Sequence, residues 1–174
     1  MLLIIRQETP LDYAEVYRLV EVSFALSFHA DGTESDYLVG VREKDTFIPE
    51  LSLVAENDDG VLVGQIVLYK TVISTLHGAL VELVLSPMCV HPNYFRRGIA
   101  RAMVTEALRI AKNMGFRAVF LCGDPEFYGK LGFLPSYRYN IFHKTDKSKT
   151  ASWSMVYELY PDALTGITGT INTV

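Results

Sequence analysis

The run Val90-His-Pro-Asn-Tyr-Phe-Arg-Arg-Gly-Ile-Ala100 joins an apolar segment to an amphipathic one through a short basic turn. Arg96 and Arg97 bring positive charge to the point where Gly98 removes a side chain. A helix beginning there leaves its first-turn N–H groups pointing back at the same spot. Guanidinium groups, a helix start and a glycine that lets backbone approach closely are together what a pyrophosphate requires. Taken alone, the same residues also describe a surface turn with two solvated arginines.

Those residues need elements to hold them. Ala79–Val90 reads as a strand, and residues 98–114 carry Ile99, Met103, Ala107, Ile110 and Met114 at helical spacing, with Gly115 as the stop. Arg117–Cys122 is the next strand, so strand, turn, helix and strand form a crossover between parallel neighbours. Upstream, Leu2–Gln7 is a strand, and Thr9 caps a helix with Pro10 in its first turn and an apolar stripe of Leu11, Val16, Leu19, Val20 and Phe24. Residues 28–36 are polar and irregular, with Ser35 capping a short second helix through Arg42. Leu51–Glu56 and Val61–Val72 are strands joined by the tight-turn sequence Asn57-Asp-Asp-Gly60. A short helix at 125–131 stops at Gly132, strands around 133–142 and 151–159 complete the sheet, and a tail follows from Pro161. Pro87 removes a ladder donor within its strand, which marks a bulge or an edge. If that strand is central, the N–H groups of Met88, Cys89 and Val90 become available to a ligand in a V-shaped slot.

The 174 residues, with 49% hydrophobic and 21% charged, suit one folded α/β domain spanning 1–174, without repeat, linker or low-complexity segment. A net charge of −4 makes the basic turn a local feature and argues against a broad nucleic-acid face. The other basic cluster, at 143–150, reads as a solvated loop. Two cysteines inside apolar runs suggest neither a disulfide framework nor a metal site, which fits a reducing cytoplasm. Leu2–Ile5 is too short for a signal peptide, and no apolar stretch is long enough to cross a membrane. A P-loop would need Gly-Lys-Ser/Thr after the glycine, and a dinucleotide fingerprint needs three glycines where this turn has one.

The order of these pieces resembles the GNAT superfamily of acetyl-CoA-dependent N-acetyltransferases, in particular its YhbS-like branch of predicted acetyltransferases. Four segments carry the likeness. Leu51-Ser-Leu-Val-Ala-Glu56 with Val63-Gly-Gln-Ile66 resembles the first hairpin, and Leu85-Ser-Pro-Met-Cys-Val-His-Pro92 through Gly98-Ile-Ala100 resembles the acetyl-CoA segment. Gly123-Asp-Pro-Glu-Phe-Tyr-Gly-Lys-Leu-Gly-Phe133 is similar to the closing motif, and Glu158-Leu-Tyr-Pro-Asp-Ala-Leu164 to the branch's C-terminal signature. The resemblance implies a mixed α/β sheet splayed at a bulged strand and flanked by helices. It further implies acetyl transfer from acetyl-CoA to an amine of a small molecule or peptide, in a ternary complex, with no metal. The non-catalytic alternative is an acyl-CoA-binding or sensing protein of the same fold. No nucleic-acid or membrane partner is expected, and a homodimer is left open.

By the same resemblance, the amides of Met88, Cys89 and Val90 hold the pantetheine arm, and Phe95, Arg96, Arg97, Gly98, Ile99, Ala100 and Arg101 hold the pyrophosphate. Phe95 stands where the family carries Gln or Arg, and Arg96 or Arg97 supplies the donor instead. Tyr128, five residues before Phe133, matches the tyrosine that protonates the leaving thiolate; by spacing alone it is a packing aromatic. Ser86 stands where many members carry an acidic residue. Glu82 is then either a base acting through water or an exposed strand carboxylate. Cys122 reads as a buried, inert thiol rather than a nucleophile. His91 reads as a turn residue and His29 as a solvated loop residue. Asp31, Glu34, Asp36 and Glu82, without matching basic residues, suggest a cationic or neutral acceptor.

Overall fold

A computed structural model describes residues 2–25 and 30–173, so His29 lies outside the described residues. Backbone contacts gather these residues into two compact units, the first comprising residues up to Tyr69 with Ser86–Ile110, the second Lys70–Leu85 with residues from Ala111 onward.

In the first unit, strand β1 (Leu3–Gln7) pairs antiparallel with β2 (Ser52–Asn57), which pairs antiparallel with β3 (Leu62–Thr75). The β2–β3 register shifts at Ala55/Glu56, next to the expected hairpin turn, where Gly60 adopts φ +76° and Asn57 Oδ1 accepts the N–H groups of Asp59 and Val61. Helices α1 (Tyr13–Phe24) and α2 (Glu34–Arg42) bury Val16, Leu19, Val20, Leu38 and Val41. Two details differ from the sequence reading. Thr9 starts a 3-10 turn over Pro10–Asp12 instead of the α-helix, which leaves Leu11 95% exposed and outside the apolar stripe. The N-cap of α2 is Thr33, held by Asp31, while Ser35 is buried inside the first turn. Arg42 reaches Glu8 at 2.5 Å, and Ser52 Oγ donates to the other oxygen of that carboxylate at 2.7 Å. With side-chain exposures of 7% and 1%, this is a buried ion pair whose acceptor is well satisfied.

Strand β4 (Gly78–Val90) ends in this unit and leads through the turn into helix α3 (Ile99–Asn113). On α3 the buried stripe is Ile99, Met103, Val104, Ala107, Leu108 and Ala111; Met114 is exposed beyond the helix end. A Cβ on Gly64 would stand 2.8 Å from Met103 Cε, so α3 packs close over β3 here and a larger residue would have to displace the Met103 side chain.

In the second unit, β4 pairs in parallel with β5 (Ala118–Cys122), Leu83 opposite Val119. The expected crossover is present. β5 pairs antiparallel with β8 (Ser154–Glu158), and β8 with β6 (Leu134–Pro135). The strand expected over 133–142 is broken: β6 gives way to a 3-10 turn at Ser136–Tyr139, and β7 (Ile141–His143) follows a left-handed Asn140. The tail contains a further strand, β9 (Gly169–Ile171), paired with β7 and with the end of β3. Ile73, Phe120, Ile141, Val156, Leu164 and Ile171 form the core of this unit.

Candidate active site

At the end of β4, Pro87 and Cys89 are buried while Ser86, Met88 and Val90 are half-buried. His91 N donates to Val63 O at 2.8 Å, which ties the strand end to β3. The His91 ring is a turn residue, as expected: its Nδ1 accepts from Asn93 N at 3.2 Å. A 3-10 turn over Pro92–Tyr94 then delivers Phe95–Gly98 to the surface.

The backbone of that surface turn is unusual. Arg96 has φ +61° and Gly98 has φ +80°. Nothing lies within 4 Å of where a Gly98 Cβ would be, so the peptide there is open to close approach. Ala102 N bonding Gly98 O at 3.0 Å opens α3, whose first-turn amides have no acceptor within the helix. Ile99 is buried, Ala100 half-buried and Arg101 exposed.

Arg97 is not simply solvated. Its guanidinium lies over the Tyr94 ring, 5.0 Å from the centroid, and Tyr94 Oη accepts from Asn57 Nδ2 at 3.3 Å. The β2–β3 hairpin thereby helps orient a guanidinium in the basic turn. Sequence reading found the Asn57–Gly60 turn and the arginines, but it carried no signal that the two were connected.

In the second unit, the helix α4 (Pro125–Gly129) is capped by Asp124 Oδ1, which accepts from Glu126 N at 2.9 Å, and Gly132, at φ +96°, ends the segment. Tyr128 sits edge-on to Phe127 and Phe133, at 5.0 Å and 5.7 Å between ring centroids. Burial pushes its phenol up to about 12, so the hydroxyl keeps its proton across the neutral range. A Cβ on Gly123 would come within 2.4 Å of the ring, which makes that glycine a spacer for Tyr128.

Other residues have different tasks from those expected. Glu82 is buried rather than exposed: its Oε2 accepts the N–H groups of Arg117 at 2.9 Å and Ala118 at 3.2 Å. Burial raises its pKa against those two bonds, and the carboxylate anchors the start of β5. Cys122 is exposed rather than buried, with Sγ 2.9 Å from Thr173 Oγ1, and desolvation raises its pKa, which keeps it a thiol. The acidic residues taken as an acceptor-side cluster are engaged locally: Asp31 with Thr33, Glu34 with Asp31 N, and Asp36 with Tyr17 Oη. Among the described residues no cluster of His, Cys, Asp and Glu is arranged to hold a metal, and no helix is long and apolar enough to cross a membrane.

Comparison with known proteins gives a consistent picture. The chain is 29% identical to the uncharacterized N-acetyltransferase YhbS of Escherichia coli K12 over 97% of its length and 95% of that protein's. It is 26% identical to the uncharacterized N-acetyltransferase YjhQ of the same strain, over 59% of this chain and 56% of YjhQ. Among solved structures, E. coli YhbS in complex with CoA superposes with a TM-score of 0.81 at 28% identity, covering 98% of this chain and 88% of YhbS. A Brucella melitensis GNAT acetyltransferase in complex with acetyl-CoA shares the fold, with a TM-score of 0.76 at 24% identity, over 98% and 94% of the two chains. The model of the acetyltransferase (GNAT) family matches residues 14–133, well over half of the sequence, and the chain belongs to that family.

Proposed function

We propose that this protein is a cytoplasmic N-acetyltransferase, working as one domain over residues 1–174, that moves the acetyl group of acetyl-CoA directly to an amine of a small molecule or peptide. The observation that carries this reading is the turn at 94–101: two arginines, left-handed backbone at Arg96 and Gly98, and open space over Gly98 at the start of α3. Such a turn suits the pyrophosphate of the coenzyme. The CoA and acetyl-CoA complexes of the similar structures support the same assignment.

In this reading the backbone of Met88, Cys89 and Val90 holds the pantetheine arm and polarises the thioester carbonyl. The turn Phe95–Ala100 and Arg101 hold the phosphates. The amine nitrogen attacks the carbonyl carbon, the C–S bond breaks, and Tyr128 gives its phenolic proton to the departing sulfur. A phenol held above its usual range is protonated when that step occurs. With Ser86 at the family's acidic position and Glu82 bonded to β5, the amine's proton passes to solvent.

The second reading, an acyl-CoA-binding protein without turnover, is favoured by the same occupied Glu82. Thiol release from acetyl-CoA, measured against pools of primary amines, separates the two. Amine-dependent release is the expected result. Acetyl-CoA binding with no release by any amine supports the binding protein, and no binding at all removes both readings.

A further inference from the structure

Three arginines of the described residues spend their guanidinium groups on carboxylates: Arg6 on Asp12 and Glu56, Arg42 on Glu8, and Arg109 on Glu106. Arg97 is held differently. No carboxylate of the described residues pairs with it, and its guanidinium lies 5.0 Å from the centroid of the Tyr94 ring. A ring face attracts the cation without using its N–H groups, so the five donors of Arg97 stay available to an anion. A carboxylate in the same place would have to be displaced first.

The ring is itself fixed from several sides, all within the first unit. Tyr94 N donates to His91 O at 2.9 Å, and the His91 ring stands nearly perpendicular to the Tyr94 ring with 5.8 Å between centroids. Asn57 Nδ2 donates to the Tyr94 hydroxyl at 3.3 Å. Asn57 is only 4% exposed, and its Oδ1 accepts the N–H groups of Asp59 and Val61. One buried amide therefore shapes the β2–β3 turn with its oxygen and anchors the ring with its nitrogen.

We propose that Tyr94 is a positioning residue for the coenzyme: its ring holds Arg97 as an oriented, unneutralised cation for a phosphate group, while Asn57 and His91 fix the ring. This rests on the acetyl-transfer reading above. A long, exposed arginine loses rotamer freedom when it clamps a ligand, and ordering it beforehand lowers that cost at the moment of binding. The planar fork of a guanidinium suits both the stacked contact and the phosphate. The coenzyme carries phosphate in two places, the pyrophosphate and the 3′-phosphate of its ribose, and the same chemistry fits either. Tyr94 acts through Arg97 and takes no part in bond making.

The test measures binding of CoA and of 3′-dephospho-CoA to the full chain by calorimetry. Tyr94→Leu should weaken CoA binding about two- to fivefold, the size of a cation–π contact at an exposed site. Tyr94→Phe keeps the ring, so its affinity should stay close to that of wild type. In an Arg97→Gln background, Tyr94→Leu should cost nothing further, because the group it positions is gone. If Tyr94→Leu does not fold, Arg97→Lys carries the test: it keeps the charge, loses the planar fork, and should also weaken binding about two- to fivefold. A loss seen with CoA alone puts the guanidinium on the 3′-phosphate, an equal loss with both ligands puts it on the pyrophosphate, and either supports the assignment. Unchanged CoA affinity in Tyr94→Leu or Arg97→Lys, equal losses in Tyr94→Phe and Tyr94→Leu, or a Tyr94→Leu loss that persists in full without Arg97 overturns it and leaves the acetyl-transfer reading standing. Wild-type protein that binds no CoA overturns both.

Discussion

At residues 94–101 the candidate groups are exposed and cationic, on a backbone left-handed at Arg96 and Gly98, whereas at 123–133 the candidate atom is a single neutral hydroxyl on a ring packed against Phe127 and Phe133. The first arrangement suits a ligand that brings its own charge and needs many weak donors. The second suits a proton that must be delivered once and protected from water until then. The difference teaches where each region is vulnerable. Under the proposed function the turn acts through backbone shape and access, which accommodates Phe95 in place of Gln or Arg. The α4 segment depends on one side chain and on the glycine that leaves room for it.

The strongest challenge to that contrast is Gly98→Trp. Open space over Gly98 leaves room for the new Cβ, and the indole beyond it obstructs what approaches from outside, on a left-handed backbone that strains any L-residue. Acetyl-CoA affinity is expected to fall at least a hundredfold, roughly 3 kcal/mol, in calorimetry. Gly98→Ala separates access from strain: it introduces the left-handed penalty of about 1–2 kcal/mol and lowers Tm, with a much smaller loss of affinity. Equal affinity for wild type and Gly98→Trp would place the phosphates elsewhere.

Tyr128→Phe tests the other side of the comparison. It removes a hydroxyl and keeps the ring contacts with Phe127 and Phe133. Turnover should drop roughly ten- to a thousandfold, at or below the usual general-acid range of about 10²–10⁴, while acetyl-CoA affinity holds. The phenol is raised to about 12, so it stays protonated below that pH, and its ionisation adds no basic limb to the wild-type kcat profile up to pH 10. A mutant that keeps full turnover in a chemistry-limited assay returns Tyr128 to a packing role.

Gly123→Ala asks for the same loss without touching the hydroxyl. The added Cβ would lie 2.4 Å from the Tyr128 ring, so the ring must move. Overpacking of this kind typically costs about 1–3 kcal/mol of stability, and kcat should fall several-fold with acetyl-CoA affinity unchanged. If kcat is preserved while Tm drops, the position of Tyr128 does not matter to the reaction.

Local signals were legible before the structure and long-range partners were not. The Asn57–Gly60 turn, the apolar spacing of α3 and the stops at Gly115 and Gly132 are written in neighbouring residues, and each is found where expected. The turn from His91 to Gly98 and its helix were legible for the same reason. For Glu82 the sequence offers a base acting through water or an exposed strand carboxylate, and neither reading contains its burial, because its partners, Arg117 N and Ala118 N, lie 35 and 36 residues away. The exposure of Cys122, beside Thr173, depends on the same kind of distant packing. β9 is three residues of Gly, Thr and Ile, too short for a periodic signal, and only pairing with β3 and β7 makes it a strand. Gln65 shows the limit most clearly. One polar residue among the apolar neighbours of β3 stands out in the sequence, but only the fold shows that its buried amide has no partner among the described residues.

Arg96→Gly sharpens the contrast through the smallest effect. An L-residue at φ +61° carries a penalty of about 1–2 kcal/mol that glycine does not. Part of that gain is offset because glycine loses about 0.5–1 kcal/mol more on ordering. The net expectation is a stabilisation of up to about 1 kcal/mol, or a rise in Tm of roughly 2–4 °C for a chain of this size. The substitution also deletes one exposed guanidinium, and contacts of exposed charges are typically worth about 0–1 kcal/mol, so acetyl-CoA affinity should fall less than tenfold at physiological salt. Arg97, held over Tyr94, retains the oriented charge. Greater thermal stability with nearly intact affinity means that the turn binds chiefly through backbone shape. A loss of a hundredfold or more would show that the Arg96 side chain does the binding and that the strain at this residue is kept for the sake of its charge.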